Sequence, residues 1–436
     1  MKSTVILTIP GLRPSDVDRM PRLKQLMAHG SQLPLTTSFP AVTWPAQANL
    51  LTGKLPNEHG VVANGFYWRE SQEVEMWTAW NEKIQAPQIW DILHEMDAPQ
   101  TSMAWFPMLS KGSGADWICM PAPIHNPDGS ESLWCYTKPV EFYGELLESL
   151  EHFPLKHFWG PLANIKSTAW IAQSAGMAHA KFQPKCSYIY LPHLDYAAQK
   201  LGPDSDLALQ AVIELDGVIG NLADSINASA EETIAWIALS EYVITEVDHV
   251  TYPNRLLRDA GLLRVKQLED GEHLDFQQSD AWALVDHQFS HVFVKDGDPQ
   301  LAEKVSDLFR GREGFEQVLV GPERAQLFMD HERSGDVILI SPVNSWQAYY
   351  WWLDDTNAPG FAPTVDIHRK PGYDPVELHF DMQTMSTPLD ATLIKGSHGA
   401  PVRDVTQRGT ILCSDPDLLG DDGLRDVDLL GKLIGG

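Results

Sequence analysis

The 436-residue chain is short of cysteine, of basic residues and of long apolar runs, and each shortage removes a class of protein. Its 4 cysteines, Cys119, Cys135, Cys186 and Cys413, are widely spaced and form no CxxC pair. That argues against a zinc knuckle or a dense disulfide framework and leaves four buried thiols as the expectation. Lys plus Arg number 32 against 59 Asp plus Glu, a net charge of −27, and no basic stripe breaks the acidic background. Binding to a nucleic-acid duplex or an anionic membrane is therefore disfavoured. The same field repels a phosphate group unless Arg, Lys or a bound metal supplies local positive charge. No stretch approaches the roughly 18 uninterrupted apolar residues of a membrane span. The opening MKSTVILTIPGL has too short an apolar run for a signal segment and no small-residue cleavage site. It reads as a first buried strand, and the expected location is the cytoplasm.

What the chain does have is ordinary globular composition, 43% hydrophobic and 21% charged, with ample length for a large core. Apolar runs at residues 5–9, 187–191 and 233–239 are bounded by Gly, Pro or acidic residues, the pattern of strands covered on both faces. Helical spacing over 21–29 stops at Gly30, and a long amphipathic stretch over 206–228 is entered from GPDSD. The alternation predicts an α/β fold, a mostly parallel sheet with helices on both faces. From His291 the order HVFVKD, DPQLAEKVSDLF, FEQVLV and DVILIS reads strand, helix, strand, strand. This divides the chain into a core of residues 1–245 and 341–436 and a small α+β insert of 246–340. The aromatic run Trp346, Tyr349, Tyr350, Trp351 and Trp352 is read as a wall of the core.

The most informative stretch is FPAVTWPAQANLLTGKLPNEHGVVAN, residues 39–64. Thr43 precedes Trp44 and Pro45, so a helix can open there with Thr43 as its N-cap and proline in its first turn. Free backbone N–H groups and the helix dipole at such a point favour an anion, which suits a nucleophile that must carry a transferring phosphoryl group. The alternative is a threonine that only caps its helix.

This stretch resembles the nucleophile segment of the type I phosphodiesterases and nucleotide pyrophosphatases of the alkaline phosphatase superfamily. The similarity rests on Thr43, Pro45, Thr52, Gly53, Pro56, His59, Gly60 and Asn64, and it extends to GLRPSDVDRMPRLKQLMAHG, HLDYAAQKLGPDSD, IALSEY and DIHRKPGYDPVE. The resemblance implies an alkaline-phosphatase-like core, with Thr43 as nucleophile and Asn64 as a donor to a phosphate oxygen. It implies metal ligands as well, and here the chain departs from the pattern. The first aspartate falls on Pro10, the Asp-His pair becomes Glu241 and Tyr242, and the histidine four residues after Asp195 is Gln199. His368 matches the final histidine, with His398 in KGSHG as its competitor.

Two normal zinc sites do not survive these changes, because zinc wants about four N, S or O donors. What remains is one divalent ion, Zn, Mn, Mg or Ca, on Asp195, Glu241 and His368, with Gln199, His193 and His398 as further donors. Tyr242 then becomes a substrate-binding residue. Each residue also has a plain role open to it, in a turn, an ion pair or the core. Asp286, His287 and His291 in VDHQFSH form a further cluster. The expected function is hydrolysis of a phosphoester, phosphodiester or pyrophosphate bond in a small phosphorylated molecule, with Thr43 attacking. The competing readings are a non-catalytic member of the fold that binds a small molecule, and an enzyme that uses Tyr242, Glu241 and the histidines without metal on another substrate.

Overall fold

The structure, a computed structural model, describes residues 2–125 and 131–435. Seven strands of the large sheet precede the acidic turn at Glu241: β1 (Thr4–Ile9), β2 (Ser31–Thr36), β3 (Ser102–Trp105), β4 (Trp117–Pro121), β5 (Cys135–Lys138), β6 (Cys186–Tyr190) and β7 (Ala235–Ser240). The four strands of a second sheet follow, β8 (Ala281–Asp286), β9 (Phe289–Val294), β10 (Gln317–Val320) and β11 (Val337–Ile340), and the large sheet then takes β12 (Gly409–Cys413) and β13 (Leu424–Arg425). A nine-stranded sheet runs β13-β2-β12-β7-β1-β6-β3-β4-β5. Its central strands β7, β1, β6, β3 and β4 are parallel, while β12 and β5 run antiparallel to their neighbours.

Strand β1 shows why the apolar runs became the middle of this sheet. All of TVILTI is buried, and alternate side chains serve opposite faces. Val5, Leu7 and Ile9 join one core with the helices Ile165–Phe182 and Asp206–Ser229, whereas Ile6 joins a second with Leu50 and Leu51. The helix Asp206–Ser229 begins where GPDSD predicts, since the Ser205 hydroxyl accepts the Ala208 N–H at 3.3 Å. Its buried Ala208, Ala211, Val212, Leu215, Ile219, Leu222 and Ile226 recur at helical spacing. The helix expected over 21–29 covers Pro21–Leu26, with the chain turning before Gly30.

A second, antiparallel sheet runs β8-β9-β11-β10 and packs the helix Pro299–Phe309, which Asp298 caps by accepting the Gln300 N–H at 2.9 Å. The core behind this sheet takes in Trp346, Tyr349, Tyr350, Trp351 and Trp352, all at most 1% exposed, and reaches Ile394. The aromatic run is thus a wall, and its packing crosses the boundary expected at residue 340. All 4 cysteines are buried and free. Among the described residues no helix is long and apolar enough to cross a membrane.

Candidate functional site

The ends of β1 and β7 and the start of the helix Thr43–Thr52 meet at one edge of the large sheet. Ile9 is the last residue of β1, and its carbonyl accepts the Glu241 N–H at 3.4 Å. Two residues on, the Gly11 N–H donates to the Tyr242 carbonyl at 3.0 Å. Gly11 sits at φ +80, and a Cβ there would meet Ile244 Cδ1 at 3.3 Å, so glycine is needed for this crossing. Pro10 lies between these two contacts and offers no donor atom for a metal.

Thr43 opens its helix as the first helical residue, not as the cap. Val42 is the N-cap, in extended conformation and without a side-chain cap bond, and Gly53 ends the helix in the left-handed region. The Thr43 hydroxyl is therefore free for another partner, and it lies 3.1 Å from the Tyr242 hydroxyl. Tyr242 in turn donates to Asp195 Oδ1 at 3.3 Å. With that proton committed, Thr43 donates to Tyr242, and the three side chains form a directed chain from threonine through phenol to carboxylate. The Tyr242 ring stacks on His398 at 3.7 Å and 5°. The His398 Nδ1–H donates to the Ala41 carbonyl at 2.8 Å, which leaves Nε2 bare, 3.9 Å from Asp195 Oδ1.

Asn64 holds the start of the same helix from the other side. Its Oδ1 accepts the Trp44 N–H at 3.0 Å, and its own N–H and Nδ2 donate to Asp286 at 2.8 and 3.2 Å. Asp286 also bonds His287 Nδ1 at 2.5 Å, and His287 stacks on Tyr373 at 3.8 Å. The amide of Asn64 is thus engaged in fixing Thr43 and Asp286, in addition to facing the cavity. Asp286 and His287 join the site, whereas His291 bonds the Val62 carbonyl and the Gly335 N–H and belongs to the core.

A cavity of about 80 Å³ opens over Thr43, lined also by Asn64, Asp195, His287, His368, Tyr373, Glu377 and a group of aromatic side chains. Burial sets the ionisation here. It pushes Asp195 and Asp286 up to about 6 and Glu241 and Glu377 up to about 8. The charge of Asp195 is a lesser cause of the rise at Glu241. Desolvation also holds His287 and His398 well below 6.5, so both rings are neutral. The Tyr242 phenol is pushed well above 10 by burial and by neighbouring carboxylates.

The expected metal donors converge only in part: His398 Nε2 lies 3.9 Å from Asp195 Oδ1, while Glu241, His193 and His368 are turned elsewhere. Among the described residues no group of three or more His, Cys, Asp or Glu side chains is placed to hold a metal ion. Glu241 is turned toward Gln47, whose Nε2 donates to its Oε1 at 2.9 Å, and it does not line the cavity. His368 is exposed at the rim, so the histidine beside Asp195 is His398 instead. His193 points away and bonds Glu214 at 2.9 Å. Gln199 accepts the Tyr373 hydroxyl at 2.7 Å. Where a metal would need open lone pairs, the chain presents the Tyr242 phenol, the Gln199 amide and Pro10, and this donor set does not fit a divalent ion.

The family model for type I phosphodiesterase / nucleotide pyrophosphatase matches residues 4–374, and the chain belongs to that family. An uncharacterized pyrophosphatase/phosphodiesterase of Schizosaccharomyces pombe is 24% identical over 261 residues, 58% of this chain and 46% of that protein. The chain thus spans under half the length of that relative. Phosphonoacetate hydrolase from Sinorhizobium meliloti, in complex with phosphonoformate, has the same fold with a TM-score of 0.65 at 16% identity, over 98% of this chain and 94% of that one. Human ectonucleotide pyrophosphatase / phosphodiesterase 5 gives a TM-score of 0.63 at 15% identity, over 100% and 94%. The alkaline-phosphatase-like α/β architecture is shared with both.

Proposed function

We propose that the chain hydrolyses a phosphoester or pyrophosphate bond in a small molecule, with Thr43 as nucleophile and with Tyr242 and Asp195 as its proton path. The observation that carries this reading is the Thr43 hydroxyl at the first turn of its helix, facing the cavity and 3.1 Å from Tyr242. Family membership supports the bond type. The Thr43 oxygen forms a bond to phosphorus as the bond to the leaving oxygen breaks. The threonine proton passes to Tyr242 while Tyr242 gives its own proton to Asp195, and the leaving oxygen takes a proton from solvent. Because the Tyr242 phenol is held well above 10, it stays protonated at both ends of this exchange. Water then opens the phosphothreonine, and the Asp195 proton returns through Tyr242 to Thr43. At the helix start the Thr43 N–H is the one left to meet the anion, since Asn64 takes the Trp44 N–H, Pro45 has none and the Ala46 N–H bonds the Val42 carbonyl. No step runs through a metal, since the donors do not converge on one.

Asp195 must be ionised to accept the proton, so the rate should rise through about pH 6. The test is an acid quench during turnover of a chromogenic phosphodiester, followed by mass spectrometry of the peptide carrying Thr43. A phosphorylated Thr43 is expected. Turnover without any phosphothreonine would refute covalent attack.

A binding role without turnover is the second reading. The observation that favours it is the donor set itself, since Pro10 and Tyr242 leave the threonine hydroxyl with no activating cation.

A further inference from the structure

We propose that a second cavity, on the antiparallel sheet and apart from the Thr43 site, binds a small aromatic monocarboxylate. It measures about 610 Å³, within the roughly 300–1,000 Å³ of ordinary small-molecule pockets, and it shares no lining residue with the cavity over Thr43. Strand register builds its aromatic wall. Trp282 of β8 and Phe293 of β9 are cross-strand partners whose rings stack at 5.5 Å and 25°. Phe276 and Tyr67 each meet Trp282 edge-on at 4.8 Å, and all four residues line the cavity. A wall of this kind is apolar and preformed, which suits a flat ring.

Two guanidiniums, Arg69 and Arg324, line the same cavity, and only one of them has a carboxylate. Arg69 pairs with Asp336 Oδ1 at 3.0 Å, while the Val294 N–H takes Asp336 Oδ2 at 2.8 Å. Arg324 is partly buried, and among the described residues its hydrogen-bond partners are two carbonyls. Its Nε donates to Gly321 at 3.2 Å and its Nη1 to Gly335 at 2.8 Å. Burial holds Arg324 below its ordinary pKa; the charge of Asp336 opposes this and that of Arg69 adds to it. Charges withdrawn from water are ordinarily paired, so a guanidinium left with carbonyls at the wall of an open cavity lacks an anion. In the same wall Ser334 is buried, with a hydroxyl that has no hydrogen-bond partner.

The charge of the ligand follows from what surrounds Arg324. Asp296, Asp330 and Glu332 stand exposed at the rim, with Lys295 beside Asp296. They repel a dianion such as a phosphate monoester, whereas a single carboxylate matches the single unpaired guanidinium. The Nη1 and Nη2 end of Arg324 keeps N–H groups for both carboxylate oxygens, and the ring of the ligand then lies on the aromatic wall.

Isothermal titration of the intact protein with 3-phenylpropanoate, and with its uncharged isostere 3-phenylpropanamide, tests this directly. The expected result is about tenfold tighter binding of the carboxylate, the size of a hydrogen bond to a charged group. Arg324→Gln should abolish that preference, and Arg324→Lys, which keeps the charge and loses the fork, should retain part of it. Phe276→Ala should weaken both ligands and leave their ratio unchanged, and Thr43→Ala should bind both as the wild type does. Three results would each overturn the proposal: equal affinity of the wild type for the two ligands, no binding of either at millimolar concentration, or a preference that Thr43→Ala removes. So would a preference that survives Arg324→Gln in protein with wild-type far-ultraviolet circular dichroism.

Discussion

Replacing Tyr242 by phenylalanine removes one oxygen atom from the centre of the site and leaves its ring. The ring packs 3.7 Å from His398, so the stack survives, and only the hydroxyl between Thr43 and Asp195 is lost. Both bonds are buried, at 3.1 and 3.3 Å, and Asp195 loses its phenolic donor. A net hydrogen bond is worth about 1 kcal/mol and a buried acceptor left short costs about 1–3 kcal/mol, so stability should fall within that range. The low end is favoured, because Asp195 already binds a proton up to about pH 6. The kinetic effect should be larger, since a positioned proton acceptor contributes about 10²- to 10⁴-fold. Turnover of a chromogenic phosphodiester, measured beside a urea melt, should show kcat reduced by about 10² or more with KM little changed. A Tyr242→Phe enzyme that works at the wild-type rate, while Thr43→Ala does not, would remove the phenol from the proton path.

Asn64→Ala should weaken folding by about 1–3 kcal/mol and lower turnover, because Trp44 N–H and Asp286 both lose a buried partner; an unchanged urea midpoint would contradict this. Trp352→Ala should cost about 3–5 kcal/mol with KM unchanged in any folded fraction, as expected of a core wall and not a binding stack. Stability should also depend on pH in a defined sense. Glu241 and Glu377 are raised from 4.5 to about 8, so the folded chain keeps protons that the unfolded chain releases, and stability is lost as pH rises toward 8. His59 and His291 are lowered from 6.5 to about 3 and about 4, so stability is lost as pH falls below 6.5. The two slopes oppose each other between 4.5 and 6.5, and the melting temperature should drop on the alkaline side of that window, less so in Glu241→Gln. A melting temperature that climbs from pH 6.5 to 8 would contradict these assignments.

The sheet was largely legible in the sequence because central parallel strands are apolar on both faces. Residues 5–9, 187–191 and 233–239 fall on β1, β6 and β7, shifted by at most two residues at either end. Local chemistry also placed the helix at Ser205 and the one opening at Thr43, off by the one residue that separates a cap from a first turn. That residue mattered, since a capping hydroxyl would have been tied to its own helix and not to Tyr242. Tertiary contacts are what spacing along the chain could not give. His368 and His398 lie on different loops, and only folding shows that His398 stacks on Tyr242 while His368 stays exposed at the rim. Tyr373 and the pair Asp286 and His287 enter the site from elements far apart in sequence. The signal for Asp286 and His287 was the cluster VDHQFSH, but nothing in it distinguished those two from His291, which the alternation of β9 sends into the core. The raised carboxyls followed from burial more than from mutual repulsion, a quantity that depends on how deeply the cleft is closed.

The most direct measurement is steady-state turnover of a chromogenic phosphodiester by wild type and Thr43→Ala, each with chelator and with added Zn, Mn or Mg. The account predicts turnover by the wild type that survives the chelator, and none by Thr43→Ala under any condition. Equal rates for the two proteins, or a wild-type rate that appears only with added metal, would contradict it.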